Sequence, residues 1–142
     1  MGVLKFGFPE RVFYDNKEDG NTQILAAEIG LVLASTPPFD YPTLQQVKSA
    51  AVQTSYVVEG EGIVEENGRN KWVCGLFKAD DLKTPIYIED VGADTDKVSC
   101  LQFERGDDQA ILEFLHYLSQ YCGSIVFYED TGVAKLIRYV EV

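Results

Sequence analysis

Positive charge is scarce in this 142-residue chain: twelve Lys and Arg stand against twenty-three Asp and Glu, for a net charge of −11. A field of that sign repels phosphate backbones and anionic headgroups, so neither nucleic acid nor a membrane surface is an expected partner. A basic protein, a basic peptide or a cation is favoured, although solubility alone would account for the same charge. Cysteine is also sparse, at Cys74, Cys100 and Cys122, an odd number without C-x-x-C spacing. With one histidine, His116, the chain offers no ligand set for structural zinc. No apolar run reaches the length that crosses a bilayer, and "MGVLKFGFPERVFYD" lacks the apolar core of a secretory leader, so a cytoplasmic location is expected. Phe6 stands where a myristoylation signal needs Ser or Thr.

The familiar catalytic signatures are missing as well. There is no G-x-S-x-G, no Walker A loop, no H-E-x-x-H and no G-x-G-x-x-G, so no catalytic residue and no cofactor are assigned. "EGEG" at 59–62 puts carboxylates between its glycines, which suits a sheet edge or bulge and would repel a phosphate. "DNKEDG" at 15–20 has Asp15, Asp19 and Gly20 at calcium-loop positions, but Lys17 spoils the third position and Ala26 stands where a bidentate glutamate belongs. Glu89, Asp90, Asp94 and Asp96 in "EDVGADTD" could hold a weak cation, and a solvated turn explains them equally.

What is present is the pattern of one α+β domain spanning residues 1–142. A 46% hydrophobic share over this length supports one core, and no repeat or linker divides the chain. Residues 3–8 and 11–15 read as strands broken at Pro9. A helix is predicted over 22–35, capped by Thr22, with Ile24, Leu25, Ala27, Leu31 and Val32 at helical intervals and Pro37-Pro38 beyond its end. A second follows over 42–54, where Thr43 and Gln46 have capping-box spacing. From Tyr56 to Phe77 the pattern is a hairpin turning at Asn67-Gly68, and strands are expected at 85–91 and 97–104. A third helix over 107–122 and a closing hairpin over 124–142 complete a mainly antiparallel sheet of about six or seven strands, with three helices packed against it.

His116 and Cys122 lie six positions apart and raise the question of a reactive pair. At 100° per residue, Leu115, Leu118 and Cys122 fall within roughly 40° of Ile111, whereas His116 lies about 120° from Cys122. Gly123 follows as a left-handed stop, and Asp107 or Asp108 can cap the start. The stretch is explained as a helix end, with Cys122 a small buried hydrophobe.

The acids gather at turns, in "EGEGIVEE", "ADD", "EDVGADTD", "GDD" and "YED", beside the aromatics Tyr56, Trp72, Tyr87 and Tyr128. Acidic turns with neighbouring aromatic anchors suit docking on a basic protein, where charge speeds encounter and rings supply contact energy. Together with "ILEFLHYLSQYCGSIVFYEDTGVAKLI", a helix running straight into a terminal hairpin, they make the chain resemble the small acidic immunity proteins that bacteria encode beside polymorphic or contact-dependent toxins. The resemblance is one of class and rests on no diagnostic motif. It implies an antitoxin that inhibits by binding, an acidic face occluding the active site of a cationic toxin such as a nuclease. Glu59, Glu61, Glu65, Glu66, Asp94, Asp96, Glu129 and Asp130 are the expected partner-binding residues. Two other classes stay open: a small enzyme working through paired carboxylates, and a regulatory domain that self-associates through an exposed strand.

Overall fold

The computed structural model describes residues 4–33, 39–79, 83–88, 97–104 and 108–140, with backbone alone at Glu66. The expected α+β architecture is present. Seven strands, β1 (Lys5–Pro9), β2 (Val57–Glu66), β3 (Arg69–Phe77), β4 (Thr84–Ile88), β5 (Leu101–Phe103), β6 (Ile125–Glu129) and β7 (Ala134–Ile137), form one antiparallel sheet in the order β2-β3-β4-β5-β1-β6-β7. The helices are α1 (Glu10–Asp15), α2 (Gly20–Ile29), α3 (Leu44–Gln53) and α4 (Asp108–Cys122).

Strand alternation puts Trp72, Cys74 and Leu76 of β3 on the same face as Ile86 and Ile88 of β4, Leu101 and Phe103 of β5, and Ile125 and Phe127 of β6. Against this face pack the buried stripes of α3 (Leu44, Val47, Ala50, Ala51) and α4 (Ala110, Ile111, Phe114, Leu115, Leu118, Cys122), forming one continuous core. The far face carries half-buried aromatics, with Phe6 6.0 Å from Phe8 and 6.5 Å from Tyr128 between ring centres.

Local chemistry explains the element ends. Thr43 and Gln46 form the reciprocal capping box, each bond 3.0 Å long. Asn67 and Gly68, with φ of 54° and 77°, make the two-residue turn that joins β2 to β3. Two expectations are corrected. Residues 11–15 are helical, not a strand: Pro9 ends β1, and Glu10 opens α1 while its amide donates to Ser124 O at 2.9 Å. The helix expected over 22–35 is shorter and starts earlier. Asp19, not Thr22, is its cap, accepting from the Thr22 amide at 3.0 Å, and Gly30 in the left-handed region stops it. Its supposed apolar stripe is mostly in solvent, since Ile24 and Val32 are exposed and Ala26 is the residue of α2 that is buried.

The strand expected over 97–104 is shorter, β5 holding three residues, and ahead of it the Val98 amide donates to Pro42 O at 2.9 Å rather than to a neighbouring strand. Residues 34–35, the Pro37-Pro38 stop, Asp107 and the end of the strand expected over 85–91 lie outside the described residues.

Candidate functional site

A defect in the edge strand β2 determines where its glutamates point. Glu59 pairs with Gly75 and Gly62 with Val73, so Gly60 and Glu61 together oppose Cys74, a β-bulge. Gly60 takes a φ of +65°, a conformation that costs any residue with a Cβ. In a regular strand 59, 61, 63 and 65 would share a face. The bulge separates them: Glu59 lies on the far face, where it pairs with Lys83 at 3.2 Å, and Glu61 turns to the helix face.

On that face Glu61 Oε1 accepts a hydrogen bond from Trp72 Nε1 at 2.9 Å and an ion pair from Lys48 Nζ of α3, also at 2.9 Å. These donors, the indole first and Lys48 second, hold the Glu61 carboxyl below the ordinary carboxylate range. Beneath the pair is a pocket of about 260 Å³ lined by Lys48, Ala51, Val52, Val58, Glu61 and Trp72. A shallower hollow of about 310 Å³, bounded by Gln45, Ser49 and Gln53, continues along α3. A carboxylate held ionised beside an apolar wall is suited to receiving a cation. It is a poor proton donor at neutral pH. Nor is Cys74 a nucleophile there, since burial, with Glu61's charge second, pushes its thiol up to about 12.

The remaining expected binding residues do not join this site. Glu65 is exposed on β2, Glu129 is half-buried at the end of β6, and Asp130 is exposed with its amide bonded to Leu4 O. Asp94 and Asp96, with the 89–96 segment, and the side chain of Glu66 lie outside the described residues. Four strands stand between β2 and β6, which puts those two strands about 24 Å apart at the usual spacing. Because β2 and β6 run in opposite directions, the β2–β3 and β6–β7 turns also lie at opposite ends of the sheet. Two of the four expected aromatic anchors belong to the core instead. Trp72 is 1% exposed and Tyr56 is 9% exposed, because both point toward the helices that cover the sheet.

Cys122 is fully buried, its thiol pushed up to about 12 by burial and then by the charge of Glu10, while His116 faces solvent. The calcium-like loop has other duties: Asp15 is bonded to Arg11 at 2.9 Å and receives the Tyr41 hydroxyl, and Asp19 caps α2. Among the described residues no three acids, histidines or cysteines are grouped to hold a metal.

Sequence reasoning missed two groupings. One is Lys48, which a charge at the centre of α3 did not connect with Glu61. The other joins Arg11, Asp15, Asp40 and Tyr41, with Lys97 4.8 Å from the Tyr41 ring; its one local signal is the i,i+4 spacing of Arg11 and Asp15. Comparison of this chain with protein-family models, curated proteins and solved structures found no match.

Proposed function

We propose that this chain is a non-catalytic binding protein whose acidic surface captures a basic protein, most plainly as an immunity protein that neutralises a cognate toxin by covering its active site. The observation that carries this reading is how the cations are used. Lys48 and Lys83 are paired to Glu61 and Glu59, Arg11 bridges Asp15 and Asp40, and Lys5 is bonded to Asp108. Lys17, Lys71, Lys78 and Lys97 lie over tyrosine rings. Exposed acids such as Glu65 and Asp130 stand outside these pairs, and with a net charge of −11 the field they contribute to steers a cationic partner.

Affinity capture from the source cell tests the proposal. The wild-type chain should retain a basic protein that elutes with salt, and a Glu65→Lys/Glu129→Lys/Asp130→Lys variant should not. The captured protein should lose its activity when mixed with one equivalent of the chain. Capture indifferent to salt and to charge reversal, or full activity in the complex, defeats the reading.

A second reading, self-association, is favoured by one specific feature. The edge strand β2 exposes Val57, Ile63 and Val64. Sedimentation velocity decides it: a dimer lost on Val64→Lys substitution would support strand pairing, and a monomer at high concentration would end it.

A further inference from the structure

We propose that the pocket between α3 and the β2–β3 hairpin receives a lysine or arginine side chain of the basic partner, and that Lys48 is an internal cation occupying its place until the partner arrives. The inference rests on the binding function proposed above and gives it an address. Three independent features converge on Glu61. The bulge at Gly60 turns it away from Glu59's face and onto the helix face. The indole of Trp72 fixes its Oε1 at 2.9 Å. An apolar wall of the exposed Val52 and the half-buried Val58 lies beside it, where an aliphatic stem can be covered while its charged head reaches the carboxylate.

Lys48 already adopts this arrangement from the protein's own side. Its side chain is 38% exposed and that of Glu61 42%, so the pair is held in a setting where solvent weakens it and an incoming cation can exchange with it. The displaced ammonium is released to water at the hollow along α3, which needs no rearrangement of the backbone. Arginine would add a second donor toward the carboxylate.

Trp72 is the only tryptophan of the chain, so its indole N–H resonance and its emission report this site alone. The probe is the blocked tripeptide acetyl-glycyl-lysyl-glycinamide, with the norleucyl analogue as a neutral control of the same stem. The lysyl peptide should shift the indole resonance saturably in the millimolar range, and the norleucyl peptide should not. Lys48→Ala should tighten the lysyl peptide about twofold to fivefold, the amount by which an exposed pair competes. Glu61→Gln keeps an acceptor for the indole, which preserves the fold, and should weaken binding about tenfold or more.

Equal shifts from both peptides, or no saturable shift in Lys48→Ala, overturn the proposal. The two readings fail separately. Salt-sensitive capture of a basic protein that survives Glu61→Gln would leave the function and remove the pocket, whereas peptide binding without any such capture would do the reverse.

Discussion

Gly123 shows how much one residue can be asked to do. It ends α4 with a φ of +81°, and a Cβ built there would lie 2.5 Å from Glu10 Oε1 and 2.6 Å from Phe39 Cδ2. Gly123→Ala is therefore strained twice, in the backbone and against its neighbours, and should cost about 2 kcal/mol or more in urea unfolding. Glu10 itself titrates unusually. Burial raises its pKa above the ordinary carboxyl value, and a hydrogen bond from the Ser124 amide offsets this in part. For an acid whose folded pKa is raised, the unfolded chain ionises first, so ionisation weakens the fold as pH rises above the unfolded value of 4.5. Glu10→Gln should then be more stable than wild type at pH 7, with the gain vanishing as pH falls below that value. An unchanged difference across the range would show that the carboxyl is solvated. Glu61 has the opposite sign: its lowered pKa contributes stability that is present above the unfolded value of 4.5 and lost as pH falls through its folded pKa.

At the level of elements, the ends of α3 and of the first hairpin follow from short-range chemistry. Thr43→Ala removes one half of the α3 capping box and should cost about 1 kcal/mol, read as a lowered denaturation midpoint with unchanged slope. These elements were legible because the information is local: Thr43 with Gln46, Asn67 with Gly68, and the alternation of β3 each act within a few residues. Where the reading failed, a distant contact decided the outcome. Residues 11–15 alternate like a strand, yet no described strand pairs with them, and β1 is already flanked by β5 and β6. The α2 segment has apolar residues at helical intervals, but little of the fold covers them.

The candidate site was half legible for the same reason. "EGEG" announced a bulge, and the bulge is there, but its effect is to divide the glutamates between faces, and the Lys48 partner comes from another element. Gly60→Ala tests that effect. Nothing lies within 4 Å of the added Cβ, so its cost, about 1 kcal/mol, comes from the left-handed backbone alone. The variant should also displace the Trp72 indole resonance by disturbing Glu61; an unmoved resonance would mean that the bulge does not position the carboxylate.

For the whole molecule, the arrangement of charge matters more than its sum. The described acids that remain outside the ion pairs are dispersed, and the two acidic turns occupy diagonally opposite corners of a seven-stranded sheet. A partner of ordinary size covers about 800 Å² on each side, so one corner dominates its docking. The corner beside the Lys48–Glu61 pair joins the pocket to the exposed Ile63, and the corner at Glu129 and Asp130 has the exposed Val133 in its turn. Charge reversal separates the two corners by rate. With the captured basic partner in stopped flow, Glu65→Lys should slow association about threefold or more at low ionic strength and flatten its salt dependence, because the corner's local field is part of the steering. Glu129→Lys/Asp130→Lys should change the same rate less, and both effects should shrink at 1 M salt, where the screening length falls to about 3 Å. Greater slowing by the double variant, which reverses two charges against one, would mean that the partner responds to net charge alone, and that no corner of the sheet is privileged.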